Sequence, residues 1–278
     1  MREEVILAIE IFQPFAQYRN PFTFYYAQSY PLPPKSTIIG MLQNALNDWY
    51  GKREGDEGIK KWWNLKVSIH GGFESVFWNY QQLIKGNIIL RNGVLMNKDE
   101  NGKLLPLYNK GLKPLRSPTY QQELFNGHIT IFLKGERDFV EKIKDSLKHP
   151  LKVLYLGRSE DVIFLKDLRL ITLDEVKSER KERALWLDYP MYIKQKGFPI
   201  KTKRYPIYSI PVKVVFKNGN TPISHKAELN KNTLRDVTFE SVIYTSYDYI
   251  IRLSKEIYVD VIEYKGKKFK IPKECGWL

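Results

Sequence analysis

Residues 5–12, VILAIEIF, are apolar at nearly every position. A strand with water on one side alternates apolar and polar residues. An unbroken apolar run therefore predicts a strand covered on both faces, in the middle of a sheet. The irregular stretch QPFAQYRNPFTFYYAQ and the proline-rich leader YPLPPK follow. Then Ile38, Ile39, Met41, Leu42, Ala45, Leu46 and Trp49 recur on one face of a 3.6-residue period, which predicts a helix. Ser36 or Thr37 can cap its start, and Gly51 can stop it. Gly40 inside the helix costs about 1 kcal/mol against alanine, so it suggests close approach by another backbone or by RNA, or plain helix–sheet packing.

Alternation predicts a strand near 65–80 and another at 121–133, ending in HITIFL. Between them lies an insert, residues 81–120, with Asn92-Gly93 between apolar runs, the strongest short hairpin signal. Phe139, Val140, Ile143 and Leu147 give a second helix at about 136–148, stopped by Pro150, and VIFLKDLRLITL gives a further strand. The order β-α-β-(insert)-β-α-β predicts an α+β, ferredoxin-like (βαββαβ) domain over residues 1–173. RNA-recognition modules share this order, but their aromatic consensus is missing here. From 174 the chain reads as a mostly β region: DEVKSERKER as helix or linker, then strand-like RYPIYSIPVKVVF, VTFESVIYTSY, EIYVDVIEY and KKFKIP.

The net charge of +14 points to a polyanion, with nucleic acid the first candidate. Residues 81–120 hold seven basic residues, including Arg116, against two acidic ones. Residues 191–217 hold seven, including Lys194, Lys203 and Arg204, and no acid, interleaved with Tyr192, Phe198, Tyr205 and Tyr208. Basic groups can track phosphates while aromatic faces stack on unpaired bases. A lysine-guarded sheet edge accounts for the same run. A single cysteine, Cys275, rules out an internal disulfide and a thiolate metal site, and fits a reducing, cytoplasmic setting. Four dispersed histidines give no support to metal dependence, and no cofactor is implied. No apolar run is long enough to suggest a membrane span. No catalytic string such as HExxH, GxSxG or GxxxxGK[ST] occurs, and His128 in NGHIT reads as a structural or surface histidine.

Two motifs remain. Lys35 and Ser36 in PPKSTIIG would sit at a helix N-terminus, where free amides favour a phosphate. In YLGRSEDVIFL, Gly157 can take φ > 0 and shape an anion-receiving turn, and Arg158 offers a fork of donors. Glu160 and Asp161 would orient that arginine or cap the turn. Together with FAQYR (Phe15 to Arg19) and the insert, these motifs resemble the Cas-five family of CRISPR-associated proteins, over roughly residues 1–173 and with a type I-B flavour. The resemblance implies a non-catalytic subunit of a Cascade complex in antiviral defence, gripping the 5′ handle of the CRISPR RNA. It implies Arg19, Lys35, Ser36, Arg158 and Ser159 as handle contacts. It also implies the insert as a thumb toward a Cas-seven backbone subunit, with the large Cascade subunit nearby. Metal-independent cleavage of precursor CRISPR RNA, as in type I-C members, and a purely protein-contacting scaffold are the alternatives.

Overall fold

The computed structural model describes residues 3–23, 26–49, 55–85, 89–98, 101–106, 115–201, 205–223, 229–245 and 249–278. The first half of the chain gives β1 (Glu4–Ala16), α1 (Lys35–Leu46), α2 (Gly55–Asn64), β2 (Lys66–Lys85), β3 (Leu115–Glu136), α3 (Arg137–Lys148) and β4 (Phe164–Thr172). The sheet order is β2-β3-β1-β4, each of these four antiparallel to its neighbours, and the two-residue strand Tyr26–Ala27 pairs parallel with β3. The apolar run lies in β1, flanked by β3 and β4.

Its two faces serve two cores. Val5, Leu7, Ile9 and Ile11 pack with Ile38, Ile39 and Leu42 of α1 and Val140, Ile143 and Leu147 of α3. Ile6 and Ala8 pack instead with Phe132, Ile171 and a later hairpin carrying Ile262, Tyr264, Phe269 and Ile271. Both faces are dry from Val5 to Ile9, as the missing alternation requires, while Glu10 and Phe12 further along are half-buried.

Helix α1 begins one residue before its predicted caps. Pro34, extended at φ −62° and ψ 154°, is the N-cap and no side chain caps it. The Pro34 carbonyl accepts the Thr37 and Ile38 amides instead, which leaves Ser36 inside the first turn. Asn47, left-handed at φ 50°, ends the helix, and Gly51 lies outside the described residues. An alanine at Gly40 would meet nothing within 4 Å, so no backbone approaches that glycine. Helix α2 was not anticipated, although Ile59, Trp62 and Trp63 sit at helical spacing and are buried.

The insert also departs from expectation. Strands β2 and β3 stay in one register from Lys66↔Lys134 to Lys85↔Leu115, so the core strands themselves run into the insert. The alternation simply continues through FESVFWNYQQ. The result is an arm, with β2 residues 75–85 spanning about 35 Å. Beyond it, Ile89–Arg91, Val94–Lys98 and Leu104–Pro106 form a small meander. Asn92 and Gly93 both have positive φ (49° and 76°), the two-residue turn that Asn-Gly favours.

Past β4 the chain forms β5 (Lys177–Lys181), β6 (Ile207–Asn218), β7 (Thr233–Tyr244), β8 (Ile257–Tyr264) and β9 (Lys267–Pro272). DEVKSERKER is neither helix nor linker. Thr172 and Glu175 close a capping box around one 3-10 turn, and the charged alternation after it forms β5, an edge strand on β8. The β5-β8-β9 sheet supplies the hairpin against the even face of β1. The β6–β7 hairpin joins the helix-side core through Ile210, Val214 and Val242.

Candidate nucleic-acid interface

The LGRSED turn is welded to the end of β1. The Gln13 amide group donates to the carbonyls of Leu156 (2.7 Å) and Asp161 (3.2 Å). The buried Asp161 carboxylate accepts the Gln17 amide (3.0 Å), the Arg158 amide (2.8 Å) and Arg158 Nη2 (2.8 Å). Gly157 has φ +115°, and a Cβ there would lie 2.6 Å from Asp161 Oδ2, so the turn needs glycine.

Arg158 is therefore held mainly by protein. Its Nη1 donates to Glu123 (2.8 Å) and Gln121 (3.3 Å), and Nε and Nη2 donate to Asp161. A guanidinium has five N–H groups, and these contacts use four of them. Burial pulls its pKa down, and the hydrogen bonds to Asp161 and Glu123 more than reverse this, so it stays charged. The donor fork expected to face a phosphate faces Asp161 and Glu123. Ser159 is exposed, with its hydroxyl on Glu160 (3.0 Å), and Arg19 is exposed just beyond Gln17. The structure thus brings Arg158 and Ser159 to the chain segment that carries Arg19.

Lys35 belongs elsewhere. It is buried, and Nζ donates to the carbonyls of Trp63 and Leu278, each at 3.2 Å. The expectation of a phosphate-facing lysine at the helix start fails because the side chain turns inward. Burial, then Lys194 and Lys213, lower its pKa to about 8. The fold thus disfavours the charged form, and this destabilisation is complete below pH 8 and fades as pH rises toward the unfolded value near 10.5. Between pH 8 and 9.5 the wild type should gain about 1.5 kcal/mol relative to Lys35→Met, read from paired urea unfolding curves. Parallel curves would show that Lys35 titrates normally.

Arg116 pairs with Ile84 near the end of the arm. Lys203 and Arg204 lie outside the described residues. Lys194 lines a cavity with Lys66 and Lys134, at the end of the sheet away from the arm.

What sequence reading missed is aromatic. Tyr26, Trp78, Tyr80 and Tyr120 are 60%, 47%, 50% and 44% exposed and form one cluster. Ring centroids are 5.9 Å apart for Tyr26–Tyr120, 5.4 Å for Tyr80–Tyr120 and 6.0 Å for Tyr26–Trp78. Phe15, Phe77 and Phe125 form a second exposed cluster, with Phe15–Phe125 at 5.2 Å. Phe77 and Trp78 are consecutive strand residues, so the clusters occupy opposite faces of the arm. The alternating aromatics of FESVFWNY were the available signal. Arg91, Lys98 and Lys103 are exposed on the meander beyond.

Acid–base candidates are few. Burial drives His70 down to about pKa 3, and its ring packs edge-on against Phe132 and Phe269. Exposed His128 lies 5.1 Å from the Phe12 ring. Burial, with Glu274, raises the Cys275 thiol to about 12, which makes it a poor nucleophile. Among the described residues, no group of three or more His, Cys, Asp or Glu could hold a metal, and no helix is long and apolar enough to cross a membrane.

No curated protein matches the sequence. Among solved structures, the chain is similar to a component of a "CRISPR RNA-guided surveillance complex" (13% identity, 88% of this chain and 91% of that chain, TM-score 0.49). It is also similar to a CRISPR protein from Archaeoglobus fulgidus (13% identity, 96% and 98%, TM-score 0.43). A third, described as a Cas protein, is 16% identical over 89% and 95%, with TM-score 0.42. The family profile described as "CRISPR-associated protein (Cas_Cas5)" matches residues 6–247, which takes in β1, the LGRSED turn, the arm and the β6–β7 hairpin. Carrying that profile over most of its length, the chain belongs to the Cas_Cas5 family of CRISPR-associated proteins.

Proposed function

We propose that this chain is a non-catalytic RNA-binding subunit of a CRISPR effector complex. In this reading it grips the 5′ handle of the CRISPR RNA with the arm and the turn beside it. The observation that carries the proposal is the arm: a long hairpin with an exposed aromatic cluster on each face and the exposed Arg91, Lys98 and Lys103 beyond. Stacking on aromatic faces needs no particular base, and neighbouring cations attract the phosphates. We read the βαββαβ order as the ferredoxin-like arrangement, with 174–278 as a β-rich second region. Arg19 and Ser159 are the proposed handle contacts near the turn, and Arg158 is a positioning residue that shapes it. In the assembled complex the arm would reach toward the adjacent Cas-seven backbone subunit, with the large subunit nearby.

The test is a titration of labelled CRISPR repeat RNA in metal-free buffer. Trp78→Ala and Tyr80→Ala should each weaken binding by about 1–3 kcal/mol. Both side chains are about half exposed, so thermal stability should hold. The RNA should remain intact throughout. Specific cleavage would instead support the endoribonuclease reading.

A further inference from the structure

A cavity of about 360 Å³ opens where β2 begins and β3 ends. Its wall carries four lysines, Lys66, Lys134, Lys194 and Lys273, against Asp260 and Glu274. Lys66 and Lys134 are directly opposite in the antiparallel register, an arrangement that repulsion between like charges disfavours. Lys134 is relieved by Glu4 (3.4 Å) and Lys273 by Asp260 (3.5 Å). Asp260 is further engaged by the Trp277 indole N–H (3.4 Å). Lys66 and Lys194 have no acidic partner among the described residues. Behind the wall, Leu278 also lines the cavity, and its carbonyl accepts the buried ammonium of Lys35.

Lys66 and Lys194 thus place two ammonium groups without an acidic partner on one concave wall, beside two paired ones, which favours an anion that carries more than one charge. The recess is half open to solvent, so a compact anion can enter it. The volume lies at the lower end of the range for small-molecule sites. The site is separate from the arm: residues 66 and 85 of β2 are about 60 Å apart along an extended strand. We propose that this cavity binds a compact phosphate ligand of several charges, a diphosphate or triphosphate group, with Lys66 and Lys194 as its principal contacts. Lysines meet such a group as point charges, without the planar matching of arginine. Binding would also relieve the repulsion between Lys66 and Lys134. The lowered pKa of Lys35, caused by burial and then by Lys194 and Lys213, is consistent with an excess of positive charge here.

The test is thermal unfolding of the full chain with inorganic tripolyphosphate at 1 mM, against sodium chloride of matched ionic strength. For a dissociation constant near 10 μM, the melting temperature should rise by about 5 °C. Lys66→Ser/Lys194→Ser should abolish the rise, and its ligand-free melting temperature should equal or exceed that of the wild type. Lys196→Ser/Lys201→Ser, at exposed lysines outside the cavity, should keep the full rise. Should the double variant fold poorly, Lys66→Gln alone, at an exposed position, must still cut the rise by at least half. No rise in the wild type would overturn the proposal, as would an equal rise in the cavity variant or an equal loss in both lysine pairs. A further arm uses repeat RNA with 5′-hydroxyl ends. Stabilisation by that RNA through Lys66 and Lys194, with none from tripolyphosphate, would assign the cavity to a nucleic-acid track and overturn the proposal.

Discussion

Asp161→Asn is expected to destabilise the protein by about 3 kcal/mol, measured by chemical unfolding. The carboxylate is fully buried and is the common acceptor for the Gln17 amide, the Arg158 amide and the Arg158 guanidinium. Asparagine keeps the shape but brings an NH2 group, a donor, against donors. Removing one partner of a buried ion pair typically costs about 3–5 kcal/mol. The lower end applies because the Arg158 side chain is 22% exposed and keeps Glu123 at 2.8 Å. The turn would also separate from the end of β1, so RNA affinity should fall even in the folded fraction. A loss below about 1 kcal/mol would mean that Glu123 and the Gln13 bonds hold the turn without Asp161.

Gly71→Ala should be at least as damaging. Gly71 has φ +114°, and a Cβ there would lie 2.1 Å from the backbone oxygen of His128 on the neighbouring strand. The unfavourable φ contributes about 1–3 kcal/mol and the overpacking a similar amount. The consequences extend beyond the strand. The Gly71 amide donates to the Pro190 carbonyl (3.0 Å) and His70 bridges Met191, so Gly71 lies where the 190s segment attaches to the first sheet. A fall in melting temperature of about 10 °C is expected. An unchanged melting temperature would mean that the two strands separate there without cost.

These two positions mark the limit of sequence reading for this chain. The central strand was legible because full burial removes alternation, and that is visible in eight consecutive residues. The Asn-Gly turn was legible because few residues accept two positive φ values in a row. The length of the arm was harder. Its strands leave the core without changing their period, so nothing local marks where burial ends. Arg158 was misread for a related reason. A glycine turn with an arginine offers donors to any acceptor, and only the fold shows that Glu123, thirty-five residues earlier, arrives beside Asp161 to take them. Lys35 was read from its place at a helix start, where a phosphate is a common partner. The actual partners, the carbonyls of Trp63 and Leu278, come from a helix not anticipated and from the far end of the sequence. The exposed aromatics of FESVFWNY were visible as letters, but core and surface aromatics look alike until one face proves to have no neighbour.

In the proposed function the arm holds RNA by stacking. The repeat-RNA titration tests it most directly when wild type and Trp78→Ala/Tyr80→Ala are compared across salt concentrations. The double variant should lose at least tenfold in affinity with its salt slope unchanged, because stacking adds no phosphate contact. Equal affinities for the two proteins would contradict it.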